Sequence, residues 1–171
     1  MRVAVTGTPG SGKTTATELL AARLDEFEIV HLGRVIERAD LYEGVDDERE
    51  SLIVDVDAVE SWLGDRERVV IDSHLSHLLG VDRVVVLRCA PSVIESRLRE
   101  RGESPSSAQE NAESEAIDGI LSAAVEGHGT DSVYEVETTD AAPEAVAAEI
   151  EAVIRGDREP SAGTVSYTDY L

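Results

Sequence analysis

The sequence predicts an α/β fold: a five-stranded parallel sheet with helices on both faces. Three observations lead there. Five short β-rich runs alternate with segments of helical period. Two of them, 68–72 (RVVID) and 82–88 (DRVVVLR), are apolar on both faces, as strands covered from two sides are. The first run passes through a glycine-rich turn directly into a helical pattern. Right-handed crossovers restrict the topology. Ligands of such sheets bind beyond the carboxyl ends of the strands, so candidate chemistry falls just after Thr6, Leu32, Asp72, Arg88 and Val136.

The elements follow in order. Residues 2–6 (RVAVT) form the first strand. Residues 13–24 have an apolar stripe at Leu19, Leu20, Ala21 and Leu24, the spacing of a helix. Residues 28–32 are the second strand. Residues 33–50 are polar, with helical pieces around an exposed turn at Tyr42, Glu43 and Gly44. Residues 55–63 are a helix opened by aspartates, whose carboxylates accept from the free amides of a first turn. After the two buried strands, Pro91 suits the start of a helix running to Arg101 and Gly102. Residues 103–107 read as a loop, 108–125 as a helix, 132–136 as the fifth strand and 141–154 as a final amphipathic helix. Residues 1–155 then form one domain. Residues 156–171 are a tail without period, expected to dock through Tyr167, Tyr170 and Leu171.

A chain of 171 residues buries roughly two-thirds of its unfolded surface and needs neither disulfides nor metals to hold a core. Its single cysteine, Cys89, excludes an internal disulfide framework. No apolar run approaches the ~20 residues that span a bilayer. The opening MRVAVTG enters a strand without the layout of a signal peptide, so a cytoplasmic location is expected.

Asp and Glu number 36 against 15 Lys and Arg, a net charge of −21. Such a surface repels phosphate backbones and anionic membranes, which argues against nonspecific nucleic-acid binding. Disorder is excluded by 42% hydrophobic residues in ordered patterns. The excess of acid fits a halophilic, high-salt cytoplasm, where the Debye length falls to about 3 Å at 1 M. Of the basic residues 14 are Arg and one, Lys13, is Lys.

That lysine sits where phosphate chemistry wants it. Residues 7–14, GTPGSGKT, match G-x-x-x-x-G-K-[ST] between a predicted strand and a predicted helix. Gly7, Gly10, Ser11 and Gly12 let backbone amides converge on an anion, and the helix start adds its positive end. Lys13 reaches the outer phosphates, Thr14 holds Mg²⁺ and Thr15 contacts the α-phosphate. Asp72, at the end of a buried strand, is the second candidate on the metal side, with capping of the next turn as its alternative. His74, two residues on, points the same way toward the transferred group, unless it is a plain surface histidine. His77 reads as packing. His31 and His128 have no partner that the sequence identifies.

Arginines suggest a transferase, since phosphoryl transfer is mostly positioning and charge stabilisation. Arg97 and Arg101 share a helix face before Gly102 and a Ser/Pro loop that can act as a lid. Their alternative is pairing with Glu95 or Glu100. Arg34 and Arg38 form a similar pair after the second strand, where an acceptor phosphate would lie. Glu37, Asp40 and Glu43 offer them structural partners instead.

Taken together, these residues resemble the adenylate kinase isoenzyme 6 family, the small archaeal and eukaryotic nuclear adenylate kinases. The resemblance covers nearly all of residues 1–155. It is most specific at residues 7–15, at Leu41-Tyr42-Glu43-Gly44 with the acids that follow, at Asp72-Ser73-His74, and at Arg97-Leu98 and Arg101-Gly102 with Glu110-Asn111 and Glu115 beyond. It implies a P-loop, nucleoside-monophosphate-kinase-like fold that transfers phosphate from ATP to AMP with Mg²⁺, accepts other nucleoside monophosphates and hydrolyses ATP. It also implies binding of a small-subunit ribosomal protein and a part in maturing small-subunit rRNA. By position, Gly10, Gly12, Lys13, Thr14, Thr15 and Arg101 would hold ATP, and Asp72 and His74 would be the catalytic pair. Residues 31–54 would bind the monophosphate and 99–109 would form the lid. Two departures stand out: Ser106 and Ser107 replace the lysine usual in the lid, and Glu37 occupies the place of the family's arginine, one before Arg38. The competing readings are an assembly ATPase acting on a ribosomal protein and a small-metabolite kinase of the same architecture.

Overall fold

A computed structural model of the chain describes residues 1–49 and 51–171. Glu50, the last residue of the polar segment 33–50, lies outside the described residues.

The sheet is built from β1 (Arg2–Thr6), β2 (Glu28–His31), β5 (Val69–Asp72), β6 (Arg83–Arg88) and β7 (Val133–Glu137). All pairings are parallel and the order is β2-β5-β1-β6-β7. Side chains alternate between its faces. Val3, Val5, Val85 and Leu87 pack with Ala16 and Leu20 of α1 (Lys13–Ala21) and with Val146, Ile150 and Val153 of α7 (Pro143–Arg155). Ala4, Val84 and Val86 face the other way, onto Leu121 and Ala124 of α6 (Gly119–His128). Val69 and Ile71 meet Ile36 of α2 (Leu32–Arg38) and Val59 and Leu63 of α3 (Val56–Leu63). Both faces of β1, β5 and β6 are thus covered, as the apolar runs predict. Truncating a side chain such as Ile71 to alanine costs about 2–5 kcal/mol at such a site.

Helix ends follow local chemistry. Asp55 caps α3 by accepting from the Ala58 amide at 3.0 Å. Pro91 opens α4 (Pro91–Glu100). Helix α1 stops at Ala21, short of the predicted Leu24, yet Leu24 is fully buried.

Two segments differ from the sequence reading. Within 33–50, helix α2 is followed by a strand, and the expected turn at Tyr42-Glu43-Gly44 belongs to it. That strand, β3 (Tyr42–Asp46), pairs antiparallel with β4 (Ser51–Val54). Only alternate residues are covered, among them Tyr42, Leu52 and Val54, so half the hairpin is outward-facing and its period is hard to read. The predicted loop 103–107 and single helix 108–125 are instead α5 (Pro105–Ala116) and α6. Ser104 caps α5 by accepting from the Ser107 amide at 3.2 Å, which starts the helix inside the predicted loop. The helices part at Asp118, whose backbone is left-handed (φ 58°) and whose carboxylate is held by Arg88.

The tail runs beside β7. The Ser161 amide donates to the Val133 carbonyl at 3.0 Å, and Arg158 donates to the Glu135 carbonyl at 2.6 Å. Tyr167 donates to Glu137 at 2.7 Å and Tyr170 to Glu95 at 3.1 Å. Leu171 does not dock and is 72% exposed. Among the described residues, no helix is long and apolar enough to cross a membrane.

Candidate active site

The loop between β1 and α1 lies at the carboxyl edge of the central strand. A Cβ at Gly7 would stand 2.6 Å from the Leu87 carbonyl oxygen, so only glycine lets the loop leave the sheet this closely. Gly12 precedes α1 in a left-handed conformation (φ 92°). Helix α1 has no side-chain cap and no acid in its first turn. The amides of Lys13, Thr14 and Thr15, in the first turn, have no carbonyl one turn back to bond. The end is electropositive and fits a polyphosphate. Lys13 Nζ lies over the loop, donating to the carbonyls of Gly7 at 2.8 Å and Thr8 at 3.0 Å, with Ser11 Oγ at 3.5 Å. Burial pushes this ammonium down to about 8, against the pull of Asp72 and Glu115 and with some help from Arg101.

Asp72 ends β5 beside β1 and is buried. Its Oδ2 accepts from Thr17 Oγ1 at 3.1 Å and contacts His31 Nδ1 at 2.9 Å. His31 is the residue paired with Asp72 across the β2–β5 register. The sequence left His31 without a partner, although it stands at a strand's carboxyl end; the missing information was which strands are neighbours. His74 is solvent-accessible, yet enough protein surrounds its imidazole to push it down to about 4, by desolvation first and then by the charges of Lys13 and His77. His77 packs on Thr6 Oγ1 at 3.1 Å, and His128 Nε2 donates to the His77 carbonyl at 2.7 Å.

A cavity of about 640 Å³ opens from this edge. Its walls include Lys13, Thr14, His31, Asp72 and His74, with Leu52, Val54 and Leu75 as apolar surface. Arg34 lines it and also lies 3.6 Å from Glu18. Arg38 is not among its walls. Arg49, which the sequence did not single out, is.

Arg97 reaches the loop from α4, donating to the Gly10 carbonyl at 2.9 Å. Arg101 is exposed at the end of that helix, close enough to Lys13 to affect its charge. Below the loop, Glu115 accepts from Thr8 and from Arg88 Nε at 2.8 Å. Arg88 is 1% exposed and also binds Asp118 at 2.6 Å and Glu135. Burial opposes its charge, but the carboxylates of Glu115 and Asp118 outweigh that and raise its pKa. Glu135 in turn accepts from the Thr164 amide of the tail at 2.6 Å.

The sheet order, the glycine loop and the lysine over it define a P-loop protein with the fold of the nucleoside-monophosphate kinases. A family model described as AAA domain matches residues 3–118. A protein of Halobacterium salinarum named "Putative adenylate kinase" is 59% identical over 172 residues, spanning 100% of both chains. Proteins of the same name from Natronomonas pharaonis and Pyrococcus abyssi are 54% and 43% identical, covering 100% and 99% of this chain and 100% and 92% of theirs. The chain belongs to the AAA-domain family and to the family of these archaeal proteins. Among solved structures, shikimate kinase from Acinetobacter baumannii in complex with shikimate superposes with a TM-score of 0.62 at 17% identity, over 92% of this chain and 94% of that one. Deoxyadenosine kinase from M. mycoides with products bound gives 0.58 at 15%, over 92% and 100%. These two likenesses speak for the fold alone.

Proposed function

We propose that this protein is a Mg²⁺-dependent kinase that transfers the terminal phosphoryl group of ATP to AMP, with other nucleoside monophosphates as further acceptors and ATP hydrolysis as a side activity. The observation that carries the reading is the cavity beside the phosphate loop, whose walls include Lys13, Thr14 and Asp72 together. A donor's polyphosphate on the loop and an acceptor in the cavity would meet at those three residues. The names of the archaeal relatives support the same reaction.

In this reading the loop amides and Lys13 bind the β- and γ-phosphates. Arg97 braces the loop through Gly10, and Arg101 adds positive charge over the transferred group. Thr14 and Asp72 would hold Mg²⁺, which would neutralise phosphate charge when bound. His74, neutral at pH 7, orients the acceptor by hydrogen bonding. Arg34 and Arg49 hold the acceptor's phosphate at the cavity rim, with Arg38 further out. Residues 31–54 form the acceptor segment. Residues 99–109 form a lid hinged at Gly102 (φ 90°), and closure excludes water that would otherwise take the phosphoryl group.

The test is ADP formation from ATP with and without AMP, in multimolar KCl. AMP-dependent turnover far above the ATP-only rate is the expected result. Turnover indifferent to AMP but stimulated by a small-subunit ribosomal protein would replace this reading with that of an assembly ATPase.

A further inference from the structure

We infer that His31 is a positioning residue: it holds the Asp72 carboxylate so that one oxygen stays free for the Mg²⁺ that Asp72 would hold. The inference rests on the kinase reading above and adds to it a residue that neither the phosphate-loop motif nor the Asp-x-His segment contains.

The geometry is specific. Thr17 Oγ1 at 3.1 Å and His31 Nδ1 at 2.9 Å both approach Oδ2 of Asp72. Among the described residues no donor is assigned to Oδ1. The single Thr17 hydroxyl proton is shared with the carbonyls of Lys13 at 3.0 Å and Thr14 at 3.1 Å, so the His31 ring is the donor committed to Oδ2; it sets the rotation of the carboxylate and leaves the other oxygen with its lone pairs uncommitted. Because a carboxylate only accepts, the ring must carry its proton on Nδ1. That sets the tautomer and the orientation of the ring, which is 21% exposed and forms part of the cavity wall.

Thr17 comes from α1 and His31 from the end of β2, so the carboxylate is tied to both the phosphate-loop helix and the acceptor side. Removing His31 leaves Asp72 only the Thr17 hydroxyl, whose one proton two carbonyls of α1 also attract, and the carboxylate then samples orientations that point Oδ1 away. An outer partner of this kind typically changes metal affinity or activity by ~10–100-fold.

The experiment compares His31→Phe and His31→Asn with the wild-type chain. Phenylalanine keeps a ring but has no donor; asparagine lacks the ring but has an amide N–H. Expected results are a kcat lowered ~10–100-fold in His31→Phe with KM for MgATP unchanged, and recovery of most of that loss in His31→Asn. Wild-type kcat in His31→Phe would overturn the inference, and so would equal losses in both variants, since that pattern marks mere packing. The ¹⁵N resonances of the His31 ring give a readout apart from turnover: Nδ1–H in the wild type, shifting toward Nε2–H in Asp72→Ala. If the wild-type chain transfers nothing to AMP, the kinase reading falls while the ring nitrogens still decide the contact. Resonances indifferent to Asp72→Ala overturn it.

Discussion

The Thr8 hydroxyl donates to Oε2 of Glu115 at 2.5 Å, joining the phosphate loop to a buried carboxylate 107 positions along the chain. The other oxygen of Glu115 accepts from Arg88, and Arg88 in turn contacts Glu135 beneath the tail. The loop is therefore placed by an ion cluster inside the molecule as well as by its own turn. Thr8→Val keeps the shape and removes the donor, leaving Glu115 Oε2 buried without its partner. We expect a loss of about 1–3 kcal/mol of stability and weaker MgATP binding, read by thermal unfolding with and without MgATP.

Arg88→Met leaves three carboxylates gathered around an apolar side chain. Removing one partner of a buried ion cluster typically costs about 3–5 kcal/mol. Urea unfolding should show a correspondingly lower midpoint. An unchanged midpoint would mean that the cluster is open to water and that Arg88 contributes little.

Lys13→Ala should fold normally and lose MgATP binding and turnover together, since no other lysine can take its place. Retained turnover would remove the phosphate loop from the mechanism.

The depressed Lys13 pKa of about 8 sets a pH dependence. Below that value the free protein already has the ammonium that phosphate needs. Above it, the amine must take up a proton on binding. MgATP affinity should therefore fall as pH rises beyond about 8, with proton uptake detectable by calorimetry in buffers of different ionisation enthalpy. Stability of the free chain has the opposite sign: between about 8 and the ordinary 10.5 the unfolded state binds more protons at this residue, so rising pH favours the fold.

Asp72→Asn keeps the size and one acceptor oxygen but loses the charge and turns the second oxygen into a donor amide. A drop of ~10–100-fold in the Mg²⁺-dependent rate is expected, together with a higher Mg²⁺ concentration for half-maximal activity. An unaltered Mg²⁺ response would assign Asp72 to structure alone.

The parallel sheet was legible because its central strands, β1, β5 and β6, are buried on both faces and need no alternation to be seen. The glycine loop was legible because its backbone demands leave few residue choices. The β3–β4 hairpin was not, since its outward residues break the apolar pattern and its inward ones form only half of a short strand. The start of α5 was obscured because serine and proline suit a loop and a helix N-terminus equally well. Long-range pairs were beyond reach for a different reason. His31 with Asp72, and Glu115 with Thr8, depend on which elements become neighbours, and periodicity along one chain contains no such information. The cavity walls show the same limit: Arg34 and Arg38 look alike by spacing, yet Arg34 lines the cavity and Arg38, at the last residue of α2, does not.

The run of the tail beside β7 has a consequence for how copies of this protein treat one another. An outermost strand with unpaired amides and carbonyls is a template on which a second molecule can add its own strand. Here Ser161 and Arg158 already occupy the Val133 and Glu135 carbonyls, and the opposite border, β2, is only four residues long. The last fifteen or so residues therefore act as an intramolecular guard against sheet-to-sheet aggregation.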